Sequence, residues 1–163
     1  MFTLAEVYDL GLRIEKNGEK FYRDAMKQAW SSSIADMLKM LAEEEVKHAD
    51  FFTKRMDTLK QKRENPFLDE MSASMLRDIM GNQIFSLEDA DVSKLRSVDE
   101  LVAVAIEFEK DTIVFYEMIA SFMTDKETRR ELKEIIEEEQ RHVRLFESYG
   151  DKEIHLPRLN HKP

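Results

Sequence analysis

Residues 38–52 read LKMLAEEEVKHADFF and residues 132–146 read LKEIIEEEQRHVRLF, two stretches that align without a gap at an offset of 94. Leu38, Leu41, Glu45, His48 and Phe52 recur at steps of three and four, as do Leu132, Ile135, Glu139, His142 and Phe146. That spacing is one face of an α-helix, so in both stretches a glutamate and a histidine lie on the apolar stripe. The offset extends outward. Thr3 and Glu6 fall on Ser97 and Glu100, Glu15-Lys16 on Glu109-Lys110, and Phe21-Tyr22 on Phe115-Tyr116. Each half therefore reads Glu-x6-Tyr on one helix and Glu-x-x-His on the next, with the two glutamates 30 residues apart. A repeat at fixed offset is the mark of a duplicated hairpin, which sets equivalent side chains around a pseudo-twofold axis.

Cap signals set the expected boundaries. The box Thr3-x-x-Glu6 opens a first helix that runs to about Ala29, and Ser31 to Ser33 cap a second that stops near Asn65-Pro66. The box Ser97-x-x-Glu100 opens a third, to about Met123, and Thr124-x-x-Glu127 caps a fourth that ends before Gly150. The expected organisation is one domain over 1–163: a hairpin at 3–62, a connection at 63–96, a hairpin at 97–150 and an irregular tail at 151–163. The connection holds two weaker helical stretches, opened by Asn65-Pro66 and by Ser86-Leu87-Glu88-Asp89. It is long enough to cross the whole bundle, so the predicted fold is all-α: two helical hairpins joined by a crossover.

Composition narrows the chemistry. With 42% hydrophobic and 36% charged residues, the 163-residue chain can build a core, and only four Gly and three Pro argue against a turn-dense β fold. The absence of cysteine excludes disulfides, thiolate nucleophiles and cysteine-held zinc or iron–sulfur centres, so any metal must take nitrogen or oxygen. A formal charge of −9 opposes binding to nucleic acid. No apolar run approaches the roughly 20 residues of a membrane span, and the N-terminal residues do not read as a signal peptide, so a cytoplasmic protein without membrane contact is expected.

Glu15 shares its helix face with Gly11, Gly18 and Tyr22, and Glu109 shares its face with Ala105, Thr112 and Tyr116. Four carboxylates, Glu15, Glu45, Glu109 and Glu139, thus turn inward with His48 and His142. Buried like charges at close range must bind cations or take up protons. Four carboxylates balance two divalent ions, and imidazole with carboxylate suits iron, manganese or zinc. The competing readings are solvated helix faces for the glutamates and hydrogen-bonded core histidines; the shared offset weighs against both. Glu43, Glu44, Glu137 and Glu138 read as helix surface, with Glu44 and Glu138 placed to take the outer imidazole proton across the hairpins. Tyr22 and Tyr116 read first as core residues whose hydroxyls can reach the carboxylates. His155 and His161 lie in the tail, outside the repeat.

Over roughly residues 1–62 and 97–150 the sequence resembles the ferritin-like di-iron carboxylate superfamily, and within it rubrerythrin-like proteins: one Glu from each of two helices plus Glu-x-x-His from each of the others. The resemblance implies two iron ions, one among Glu15, Glu45 and His48 and the other among Glu109, Glu139 and His142, with Glu45 and Glu139 bridging both. It implies reduction of hydrogen peroxide or dioxygen, with Tyr22 and Tyr116 as candidate redox participants, or else ferroxidase-like iron handling. Two features depart from the family pattern. The further glutamate that rubrerythrins carry three residues after the third-helix ligand is Thr112 here, and no cysteine is present to build a rubredoxin domain. Electrons would then come from an external donor, such as one of rubredoxin type, or from ferrous iron itself. The resemblance, with Met71, Met75 and Met80 in the connection, also implies a homodimer.

Overall fold

The computed structural model describes residues 2–28, 30–81 and 91–153. Among the described residues five α-helices follow one another: α1 (Leu4–Met26), α2 (Ser32–Lys62), α3 (Glu70–Gly81), α4 (Val98–Phe122) and α5 (Lys126–Glu153), with a short 3-10 turn at Val92–Lys94 before α4. Each long helix packs chiefly on its hairpin partner, α1 on α2 and α4 on α5.

Two core clusters show how the hairpins meet. One joins Val7 and Tyr8 of α1 to Phe51 and Phe52 of α2, Leu76 of α3, Phe115 to Met123, and Leu132 to Ile136 of α5. The other joins Phe21 to Ala25, Ile34 to Ala42, Val92, Leu101 to Ala105, and Phe146. The end of α2 and the start of α4 therefore lie at opposite ends of the bundle, and the connection between them traverses its length, as the crossover requires.

The start of that crossover also finishes α1. A helix leaves its first N–H groups without internal partners. Here Leu4 donates to the Pro66 carbonyl at 2.9 Å, Ala5 to Asn65 Oδ1 at 3.2 Å and Glu6 to Thr3 Oγ1 at 3.3 Å, while Glu6 returns a carboxylate to the Thr3 N–H at 2.7 Å. Leu68 N–H to the Phe2 carbonyl closes the tie. The chain can reach this position because Arg63 ends α2 in the left-handed region, φ 54° and ψ 35°, where the Glu64 N–H bonds back to Leu59.

Several boundaries differ from the sequence reading. α1 stops at Met26, not Ala29, because three-residue turns close on Asp24 and Ala25 and the Trp30 indole N–H takes the Ala25 carbonyl. Ser31 holds the cap position of α2 but makes no side-chain cap bond. Asn65-Pro66 does not open a helix. Both serve the start of α1, and α3 begins at Glu70 with the Asp69 carboxylate on the Ser72 N–H. Glu100 answers the N–H of Arg96, one residue before the Ser97 cap. Asp125, not Thr124, caps α5, accepting from Thr128 at 2.7 Å, because Arg129 grips the Met123 carbonyl and delays the helix by one residue. α5 continues through Gly150 to Glu153; a glycine at negative φ weakens a helix without ending it. The stretch opened by Ser86 and the tail beyond Glu153, with His155 and His161, lie outside the described residues.

Met71 and Met75 of α3 face solvent, as does Phe67 before it, while Ala73 and Leu76 on the opposite face are buried. The side chain of Met80 lies outside the description. Among the described residues no helix is long and apolar enough to cross a membrane.

Candidate metal centre

Each long helix delivers its part of one chamber at mid-bundle. Glu15 comes from α1, Glu45 and His48 from α2, Glu109 from α4, and Glu139 and His142 from α5; none is more than 3% exposed. Glycine makes the approach possible. A Cβ on Gly18 would stand 3.2 Å from the Glu45 carboxylate carbon and 3.0 Å from the Phe108 ring, so the bare backbone there lets α1 close on the chamber.

The side chains converge in two overlapping sets. Ligand atoms of Glu15, Glu45, His48 and Glu139 all lie within 4.8 Å of one another, and so do those of Glu45, Glu109, Glu139 and His142. Glu45 and Glu139 belong to both. The Nδ1 atoms of both histidines point inward, 2.8 Å from the two oxygens of Glu139, and reach Glu15 at 3.6 Å and Glu109 at 3.4 Å. These approaches are close but not aligned as hydrogen bonds. Glu15 Oε2, Glu45 Oε1, Glu109 Oε2, both Glu139 oxygens and both Nδ1 atoms are buried with no hydrogen-bond partner. Seven orphaned lone-pair atoms aimed at two shared points are what a pair of cations would satisfy, and the oxygen and imidazole donors suit iron, manganese or zinc.

Around the chamber the hydrogen bonds cross between hairpins. His48 Nε2 lies 2.7 Å from Glu138 Oε2 of α5, and His142 Nε2 lies 2.6 Å from Glu44 Oε2 of α2. A carboxylate on the outer nitrogen fixes the N–H there and leaves Nδ1 to face inward. The Tyr22 hydroxyl donates to Glu109 and the Tyr116 hydroxyl to Glu15, again across the hairpins. The two imidazoles stack at 6.2 Å between centroids. Thr112, three residues after Glu109, is buried and gives its hydroxyl to the Phe108 carbonyl.

Electrostatics follow from this crowding. Burial, with the charges of Glu139 and Glu15, pushes Glu45 well above the usual carboxylate range. Burial and Glu139 push Glu109 up to about 8, against the pull of His142 and Tyr22. Burial also acts on Glu139, but the flanking imidazoles outweigh it and hold that carboxyl down to about 2. Burial opposes charge on the histidines, yet the facing carboxylates raise His48 to about 12 and His142 to about 11. Without cations, protons do the neutralising.

Sequence reasoning missed Tyr8, whose ring packs against Phe52 at 6.4 Å and whose hydroxyl donates to Met123 Sδ at 3.5 Å. It has no counterpart in the repeat, since Val102 stands at the matching position, and so gave no signal. Arg55 was also unforeseen. It ties α2 to α5 through Glu131 and lies 5.3 Å over the Phe51 ring.

The family model described as rubrerythrin matches residues 6–149. A crystal structure from Thermotoga maritima, described as a candidate ferritin-like diiron-carboxylate protein, superposes with a TM-score of 0.68 at 22% identity, covering 90% of this chain and 93% of its own. That likeness is one of fold. No curated protein matches the sequence.

Proposed function

The chain belongs to the rubrerythrin family, and from that premise we propose that its chamber holds two iron ions and that the protein reduces hydrogen peroxide, or dioxygen, with electrons from an external donor. The observation that carries this reading is the set of buried, unpartnered oxygen and nitrogen atoms shared between two overlapping ligand groups. Bound there, a ferrous pair supplies two electrons and Lewis acidity toward an oxygen–oxygen bond.

The protein's own residues do the rest. Glu15 and His48 would hold one ion and Glu109 and His142 the other, with Glu45 and Glu139, which belong to both ligand groups, available to each. Glu138 and Glu44 hold the outer imidazole protons, so that each Nδ1 presents a lone pair. Tyr116 and Tyr22 orient Glu15 and Glu109 through their hydroxyls and keep a proton at the edge of the chamber. Leu38, Leu41, Phe52, Leu132 and Phe146, all within 1% of full burial, exclude water from above and below.

One observation favours a second reading, ferroxidase-like iron handling. The side chains of Glu44 and Glu138 are 30% and 38% exposed while touching the buried histidines, an acidic doorway for an entering cation. Stoichiometry separates the two. Anaerobically iron-loaded protein is mixed with excess peroxide and a rubredoxin-type reductant. Sustained peroxide consumption supports the first reading; a single oxidation followed by ferric release supports the second. Protein that retains no iron after anaerobic loading overturns both.

A further inference from the structure

The pseudo-twofold symmetry of the chamber breaks at one pair of matched positions. Gly18 of α1 falls on Thr112 of α4 in the repeat, each three residues after its inward glutamate. A Cβ on Gly18 would stand 3.2 Å from both the carboxyl carbon and Oε2 of Glu45, so that carboxylate lies back against bare α1 backbone. Thr112 is buried, with its hydroxyl on the Phe108 carbonyl at 3.0 Å, and by the repeat it fills the corresponding place beside Glu139. Two turns before, Gly11, close against the Phe52 ring, likewise falls on Ala105. α1 is thus the bare wall of the chamber and α4 the filled one.

The two shared carboxylates follow their walls. Glu139 sets one oxygen 2.8 Å from each inward Nδ1, whereas Glu45 Oε1 comes to 3.9 Å from that of His142. A cation bound to an imidazole nitrogen and a carboxylate oxygen at about 2.1 Å each holds those two atoms about 3–3.5 Å apart. Glu139 is already close enough to both histidines for that. Glu45 reaches it only by coming forward off α1.

We propose that Gly18 is a positioning residue: by giving Glu45 a seat on bare backbone, it makes that carboxylate the yielding ligand of the chamber and Glu139 the fixed one, so that one of two bound cations exchanges readily and the other does not. This rests on the reading of the chamber as a two-cation site and on no redox step. With Glu45 lying back, Glu139, a histidine and either Glu15 or Glu109 remain in reach of a cation. With Glu45 forward, the shared place gains its second carboxylate. What stands at position 18 sets the balance between the two arrangements, and what stands at position 112 denies Glu139 the same freedom.

The test measures metal release, not turnover. The full chain is loaded anaerobically with cobalt(II), whose visible bands report the ligands around it, and release to excess EDTA is followed by stopped flow. Wild type is expected to hold two ions per chain and to release them in two phases about tenfold or more apart in rate. Gly18→Ala presses the Glu45 carboxylate forward, so the fast phase slows about tenfold while the slow phase keeps its rate. A merely structural role for Gly18 has the opposite sign, because a strained helix contact would speed the release of both ions. The added methyl would also stand 3.0 Å from the Phe108 ring, so the comparison is repeated in Phe108→Leu, where the ring is relieved and the slowing should persist. Thr112→Gly, which opens the matching seat beside Glu139, should speed the slow phase about tenfold, whereas Thr112→Val, which keeps the bulk without the hydroxyl, should leave it alone. That pair decides the matter even if Gly18→Ala fails to fold. A single release phase in wild type, an unslowed fast phase in folded Gly18→Ala, slowing that vanishes in Phe108→Leu, or a slow phase that Thr112→Gly does not move overturns the role of Gly18 and leaves the two-cation reading standing. Wild type that holds fewer than two cobalt ions overturns the two-cation reading itself.

Discussion

At the scale of single residues, the outer carboxylates decide how the histidines behave. Glu138 and Glu44 sit on the far nitrogens of His48 and His142, and each reaches across from the other hairpin. Replacing such a partner by an amide removes the charge that fixes the imidazole. Glu138→Gln is expected to weaken iron binding about 10- to 100-fold at the position served by His48, measured by competition with a chelator. Glu139 differs because its two oxygens face both histidines. Glu139→Ala is expected to empty both positions, whereas His48→Ala chiefly empties one, with metal content per chain as the readout. Wild-type iron content in Glu139→Ala would refute the shared role. The inward turn of these glutamates and histidines was legible in the stripe that each shares with leucine and phenylalanine. Tyr8 was not, because its meaning depends on Met123, which is 115 residues away, and on a ring in another helix.

At the scale of elements, the sequence reading found all four long helices and erred at their ends, where neighbouring groups compete to cap. Thr124 and Asp125 are both competent caps; the grip of Arg129 on Met123 chose Asp125. The Thr128 bonds hold the Asp125 carboxyl below its ordinary value of 3.8. A carboxyl depressed in the folded state contributes stability above its unfolded value and loses it as the pH falls through the folded one. Asp125→Asn should therefore flatten the acid limb of the melting curve below about pH 4, as seen by comparing melting temperatures across that range. Where α3 begins was equally hidden, because Asn65 and Pro66 were claimed by a helix 60 residues earlier. Leu76 is the fully buried anchor of α3. Leu76→Ala is expected to cost about 2–5 kcal/mol in chemical denaturation, with the six chamber ligands still in place.

At the scale of the whole molecule, the chamber couples protonation to folding. In the iron-free chain, Glu109 rises from 4.5 to about 8 and Glu45 rises with it, so the folded state holds protons that the unfolded chain releases. The raised histidines act in the same direction above 6.5. Glu139, lowered to about 2, acts oppositely below 4.5. Stability from these groups should thus peak near pH 5 and decline toward pH 8 and beyond. Iron competes with the same protons and binds only the folded chamber, so ferrous iron should raise the melting temperature more at pH 8 than at pH 5. Calorimetry of iron-free and anaerobically loaded protein at the two values checks the sign; a larger rise at pH 5 would contradict it.

Because each of the four long helices leans mainly on its hairpin partner while each histidine is tethered to the opposite hairpin, the molecule is two clasped halves with a rivet point between them. A single backbone cut within residues 82–90 would leave each half with three of the six inward ligands. Mixed in solution, the two fragments should associate through their shared apolar core more weakly under a chelator and more tightly when ferrous iron is added, making the severed protein a metal-strengthened complementing pair.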